Sequence, residues 1–167
     1  MYVLTGFDFS THFDDKMISV EKWDSERPLS VVYYDGEKED WFVKRFLPEA
    51  SSKPVSFISE HEASRLGFAT SLYHPRAIVK YNRRFKNTRD REDDVIDVKD
   101  FIPVKGVKAL GNKLSSLPVT EVVLDAPNQE LEEATILEIV ASVEETAVDE
   151  VEVADESPQD QPQVSES

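Results

Sequence analysis

The sequence predicts an all-β body followed by an acidic, mostly disordered tail, and three observations carry that reading. The first 82 residues are a succession of short runs rich in β-branched and aromatic side chains, most of them bounded by Asp, Gly, Pro or Ser. Nothing before residue 127 repeats apolar residues at three and four positions over ten or more residues, the period that a packed helix needs. All 16 aromatic residues precede residue 102, so the apolar area available for burial belongs to the body.

Taken in order, the expected strands are YVLTGFDF (2–9), MISVEKW (17–23), LSVVYYDG (29–36), DWFVKRFL (40–47), PVSFIS (54–59), SRLGFATSL (64–72) and PRAIVKYN (75–82). Asp35-Gly36 followed by EKED reads as the tip of a hairpin between the third and fourth of these. In DWFVKRFL, Trp41, Val43 and Arg45 share one face while Phe42, Lys44 and Phe46 share the other. Both faces are therefore mixed, as in a sheet that packs on one side and meets something polar on the other. NRRFKNTRDREDD (82–94) reads as an exposed charged loop, and DVKDFI (97–102) as a single helical turn at most. FIPVKGVKALGNKL (101–114) is an extended apolar lead into a glycine-spaced run that sets Lys105, Lys108 and Lys113 around Gly106 and Gly111 without an acid among them.

After Pro127 the composition changes. NQELEEATILEIVASVEE predicts a short amphipathic helix over 128–145 through Leu131, Leu137, Ile139 and Val143, with Asn128 as its cap. Beyond it, TAVDEVEVADESPQDQPQVSES has no aromatic residue and a high charge, the composition of disorder. The expected division is a β-rich domain over 1–124 and an acidic tail over 125–167.

Charge follows the same division. The chain has 34 acids against 19 bases, a formal charge of -15. From Glu121 onward there are 15 acids and no base, and subtracting them leaves 19 acids against 19 bases in residues 1–120. A neutral body thus carries a strongly acidic tail. Within the body, Arg76–Arg91 contains seven bases and one acid, and Glu92, Asp93 and Asp94 follow at once.

Several function classes have no support. Cysteine is absent, which excludes disulfides and thiolate metal sites. His12, His61 and His74 are scattered, with no metal-ligand spacing, and no nucleophile elbow or phosphate-cradling glycine loop is present. The carboxylates of THFDD and REDD read as solvated loops rather than as an Mg²⁺ site. No apolar run approaches the roughly 20 residues that span a bilayer, and the first residues lack the order of a secretory signal, so a soluble cytoplasmic protein is expected. The basic features remain: Lys44 and Arg45 in an aromatic strand, Arg83, Arg84 and Lys86 in the charged loop, and Lys105, Lys108 and Lys113 on the glycine-spaced run. Such groups release counterions when they meet phosphates.

The stretches GFDFSTHFDD, VVYYDGEKEDWFVKRF, SFISEHEASRL, YHPRAIVKY and FIPVKGVKALGNKL, in this order, resemble the C-terminal region of the DNA-cleaving subunit of bacterial DNA gyrase and topoisomerase IV, most closely the Bacteroidetes topoisomerase IV form. The resemblance covers roughly residues 2–123. It implies a β-pinwheel-like DNA-binding region of four-stranded blades, and a body of this length holds about two. It also implies duplex DNA as a partner, together with the rest of the DNA-cleaving subunit and the separate ATPase subunit of the topoisomerase. The gyrase glutamine-arginine-arginine-glycine box is missing, and VKGVKALGNKL is at best a degenerate relative of it. Strand cleavage in the family uses a tyrosine preceded by arginine, and none of Tyr2, Tyr33, Tyr34, Tyr73 and Tyr81 follows one. No catalytic residue, metal or cofactor is therefore expected here, ATP and Mg²⁺ belonging to the rest of the enzyme. A second reading is a non-catalytic protein-interaction module whose acidic tail mimics DNA.

Overall fold

A computed structural model of the chain describes residues 1–4 and 15–152. The expected strand over 2–9 beyond Leu4, the THFDD cluster except Asp15, and the end of the tail from residue 153 lie outside the described residues. The chain divides into two compact units, Met1–Glu132 and Glu133–Ser167.

The first unit is built from two antiparallel sheets. β1 (Leu29–Asp35), β2 (Asp40–Phe46) and β3 (Arg65–Thr70) join the short β6 (Asn112–Lys113) in the order β3-β1-β2-β6. β4 (Arg76–Tyr81), β5 (Asp94–Asp97) and β7 (Val119–Leu124) form a three-stranded sheet in the order β5-β4-β7. The β1–β2 hairpin pairs Leu29 with Phe46 through to Asp35 with Asp40. Its tip forms as the sequence predicts: one Asp35 carboxylate oxygen accepts from the amides of Glu37 and Lys38 at 3.0 and 3.2 Å, the side-chain-to-backbone bonding that favours Asp in turns.

β2 is buried from Trp41 to Phe46, which corrects the expectation of one packed and one polar face. Trp41 and Val43 point into a cluster shared with Val32, Phe68, Ala77, Val79, Tyr81, Val98 and Val122, so that face packs against the three-stranded sheet. Phe42 and Phe46 point the other way, into a cluster with Val31, Tyr33 and Phe57 that Tyr2, Ile58 and Val107 help to cover. Two-sided burial forces the polar members of the strand inside as well. Lys44 and Arg45 are each only 4% exposed.

Two expected strands are missing. Residues 17–23 make no ladder, and Ile18 and Val20 stay exposed. β-branched residues alone do not make a strand without an edge to pair with, and the segment is tied down by side chains instead. Trp23 Nε1 donates to the carbonyl of Pro48 at 3.2 Å, and the Ser71 hydroxyl bonds Glu21. Of residues 54–59 only Val55 pairs, in a single bridge with Tyr2, while Phe57 serves the core. Three strands not expected are present: the two-residue β6, which pairs with β2, β7, whose VTEVVL supplies Val122 to the core, and β5, which precedes the expected helical turn α1 (Val98–Phe101), capped by Asp97.

The helix after Pro127 runs further than expected. α2 spans Gln129–Glu152, seven residues past the predicted end. Its N-terminus is capped as predicted, with the Leu131 amide 3.4 Å from Asn128 Oδ1, and Glu130 and Glu132 stand in the first turn where the helix dipole favours acids. Glu132 belongs to the first unit. The residue is 7% exposed, and its carboxylate accepts from the amides of Tyr73, at 3.0 Å, and His74.

The two glycines of the basic run differ. Gly111 has φ +90°, and a Cβ there would overlap the Val43 carbonyl oxygen, where β6 closes onto β2. Gly106 has nothing within 4 Å of a built Cβ. Gly111→Ala is therefore expected to destabilise the fold by about 2 kcal/mol or more, from the left-handed backbone and the clash together. Gly106→Ala should stay within about 0.5 kcal/mol of the parent. Chemical denaturation of the two variants checks the contrast, and equal costs would refute this account of the segment.

Candidate nucleic-acid interface

The structure separates the eight expected phosphate contacts into three situations. Lys44 and Arg45 are buried and committed to the fold. The Lys44 ammonium donates to the carbonyls of Val107 and Ala109 at 2.9 and 3.3 Å, and stands 5.7 and 5.6 Å from the ring centres of Tyr33 and Phe46. Burial draws its pKa below the ordinary lysine value. Arg45 Nη2 donates to the Tyr73 carbonyl at 3.2 Å. Burial lowers the Arg45 pKa too, against the opposing pull of Asp97, Glu132 and Asp100. These two residues are internal donors, which corrects their expected place on a phosphate-facing surface.

Arg83 and Lys113 are exposed but ion-paired. Arg83 Nη2 lies 3.0 Å from Asp93 and Lys113 Nζ 2.7 Å from Asp40. The acids that follow the basic loop thus neutralise part of it: Asp94 takes Arg91 at 2.8 Å and also accepts from the Tyr81 hydroxyl at 2.5 Å. These two bonds hold the Asp94 carboxyl below its ordinary pKa, Tyr81 contributing most.

Arg84, Lys86, Lys105 and Lys108 are exposed and make no ion pair among the described residues. Arg84 and Lys86 stand on the loop after β4. Lys105 and Lys108 stand on the segment that runs along β2, where Val107 packs on the face of the four-stranded sheet turned away from the three-stranded one. The cations therefore stand on two different segments of the chain.

The 105–113 segment is held by a set of inward donors. The Lys105 amide donates to the Arg45 carbonyl at 2.8 Å, Lys44 holds Val107 and Ala109, and the Tyr33 hydroxyl donates to the Leu110 carbonyl at 2.7 Å. Asn112 and Lys113 then pair with Val43 and Phe42. With its carbonyls turned in to these donors, the segment leaves the side chains of Lys105 and Lys108 exposed.

Sequence reasoning missed Arg65. It closes a row across three strands, since Trp41 pairs with Tyr34 and Tyr34 with Arg65. Its guanidinium lies 4.1 Å from the Tyr34 ring centre and 5.2 Å from that of Trp41, the stacking that Arg prefers on aromatic faces. Arg65 lines an open cleft with Glu39, Asn82, Ser115 and Thr120. Only the register of β3 against β1 reveals it, and the sequence offers no local sign.

A family model described as the topoisomerase C-terminal domain of Bacteroidota matches residues 1–126. No curated protein and no solved structure matches the chain.

Two outcomes follow from the buried donors. Lys44→Met keeps the stem and removes the ammonium, leaving two carbonyls short of a donor. Stability should fall by about 2–4 kcal/mol at roughly 1–3 per orphaned group, read by urea denaturation, whereas a solvent-facing phosphate contact would cost almost nothing. Burial, with the charge of Asp35 adding to it, pushes the Tyr33 hydroxyl up to about 12 from 10.0. Its folded pKa is above its unfolded one, so its contribution is complete below pH 10 and is lost as pH rises through about 12. Stability between these pH values should decline less in Tyr33→Phe than in the parent, and parallel declines would contradict the assignment.

Proposed function

Since the chain belongs to the Bacteroidota topoisomerase C-terminal domain family, we propose that it is the DNA-binding accessory region of a type II topoisomerase, carried by the DNA-cleaving subunit of an enzyme of the gyrase or topoisomerase IV kind. In this reading it helps to bind and orient duplex DNA while other parts of the enzyme change its topology. The observation that carries it is that four of the eight expected contacts, Arg84, Lys86, Lys105 and Lys108, are exposed and free of ion pairs among the described residues, two of them on a segment whose backbone is fixed from beneath by Lys44 and Tyr33. A backbone already held has little conformational freedom left to lose on meeting a polyanion, and the exposed cations release counterions as they do so.

Contacts of this kind position a duplex without reading its bases. The partners are duplex DNA, the remainder of the DNA-cleaving subunit and the ATPase subunit, and the place of action is the bacterial cytoplasm at the chromosome. ATP and Mg²⁺ chemistry belongs to those other parts. The four- and three-stranded sheets support a reading as about two blade-like units. No helix among the described residues is long and apolar enough to cross a membrane.

The test is a titration of labelled duplex at two salt concentrations. The parent should lose affinity steeply as salt rises. Lys105→Glu with Lys108→Glu should weaken binding on every sequence and reduce the slope of log affinity against log salt by about two, at roughly 0.9 per phosphate contact, with the melting temperature unchanged. Salt-independent binding, or an affinity that ignores both reversals, would favour the protein-interaction reading instead.

A further inference from the structure

The loop between β4 and β5 has a feature that charge alone does not explain. Phe85 sits between Arg84 and Lys86 and is 49% exposed. A single exposed aromatic residue is ordinary on a protein surface, but this one is held in place by hydrogen bonds on both sides of its backbone. Its amide lies 3.4 Å from the Asn82 carbonyl, and its own carbonyl accepts from the Thr88 amide at 3.2 Å. Thr88 is fully buried and its hydroxyl donates to the Asn82 carbonyl at 2.5 Å. Asn82 is anchored in turn by its amide to the Pro118 carbonyl at 2.8 Å, and its side-chain oxygen accepts from the Arg84 amide at 3.1 Å. The loop is thus a small folded unit whose bonds converge on residues 82, 85 and 88, and from that held backbone the Phe85 side chain stands half-exposed.

The charge around that ring is also partitioned. At the base of the loop, Arg83 and Arg91 are neutralised by Asp93 and Asp94. At the tip, Arg84, Lys86 and Arg89 make no ion pair among the described residues, and Asp90 is the one acid in Arg83–Arg91. The positive field is therefore concentrated where the apolar ring stands.

Resting on the DNA-binding reading above, we infer that Phe85 is a wedge that enters the base stack of duplex DNA and kinks it, with Arg84, Lys86 and Arg89 holding the flanking phosphates. An apolar ring between cations suits the interior of a duplex, whose bases are apolar on their faces and whose edges are lined by phosphates. Unstacking one step costs a few kcal/mol, offset by the added contact with a bent duplex. A loop whose backbone is already held suits this role because ordering a mobile loop would add to that cost. Flexible pyrimidine–purine steps are the expected points of entry.

The experiment uses the full chain and a duplex of about 30 base pairs with a central TA step and a donor and acceptor dye at its ends, the length over which a protein-induced bend is readily measured. The parent should raise energy transfer on binding. Phe85→Ala should melt with the parent and keep its salt slope, yet bind about tenfold more weakly and leave the bound duplex straighter, one stacking contact being lost. Phe85→Leu should retain part of the bend, since it keeps much of the wedge volume. Arg84→Gln with Lys86→Gln should lower the salt slope by about two while the saturated complex stays bent. If Phe85→Ala bends and binds as the parent does while the Lys105 and Lys108 reversal still weakens binding, the wedge is refuted and the DNA-binding reading stands. A parent that binds duplex without bending it refutes the wedge as well. A parent with no salt-dependent binding overturns both.

Discussion

The buried ammonium of Lys44 and the carbonyls of Val107 and Ala109 constrain one another, and the path of the basic segment follows from that pair. A lysine taken out of water is costly unless its protons find acceptors, and carbonyls facing an apolar layer are costly unless they find donors. Here each answers the other at 2.9 and 3.3 Å, and Tyr33 supplies a further donor to Leu110. Once those carbonyls face inward, the chain needs a left-handed residue to turn into β6, and Gly111 provides it at φ +90°. Lys105 and Lys108 are left on the solvent side of a backbone that has little freedom to move.

This division of labour between lysines explains what could be read from the sequence and what could not. The hairpin of β1 and β2 was legible because alternating β-branched and aromatic residues flank an Asp-Gly turn, and β3 and β4 for similar reasons. The burial of Lys44 and Arg45 was not. Period-two alternation assigns residues to faces but does not say whether both faces are covered, and WFVKRF carries aromatic residues on each. Two-sided coverage depends on Phe57, Val107 and Val122, which are distant in sequence. MISVEKW has the composition of a strand and no edge to pair with, whereas VTEVVL finds one beside β4. Arg65 acquires its place on Tyr34 from cross-strand register alone. Among the site residues, those in loops were placed correctly on the surface, and the two in the central strand were not.

The proposed DNA-binding role raises a second question, namely how a surface with as many acids as bases in residues 1–120 would favour a polyanion. The answer lies in pairing rather than in the total. Arg76, Lys80, Arg83, Arg91 and Lys113 each face a carboxylate at 2.7 to 3.1 Å, and these pairs cancel one another locally. The outward face of the three-stranded sheet is mostly of this kind, with Arg76–Asp125 and Lys80–Glu121 on either side of Ile78. Among the described residues, exposed cations without an ion pair occur at several places, and three of them stand together at the tip of one loop and two along the 105–108 segment. A duplex samples the field within about 10 Å at ordinary ionic strength, so such local excess matters more to it than the sum over the chain.

Nor would the paired cations be lost to the proposed role. An exposed ion pair contributes about 0–1 kcal/mol, so exchanging Asp93 for a phosphate beside Arg83, or Asp40 beside Lys113, costs little. Lys44 and Arg45 differ in kind. Removing either from its carbonyls would break buried bonds and expose part of the core, at several times that cost. The energy scale thus sorts the eight basic residues that the sequence singled out. Four stand free of ion pairs among the described residues, two can be recruited by exchanging a weak pair, and two cannot be recruited without unfolding the layer on which the others stand.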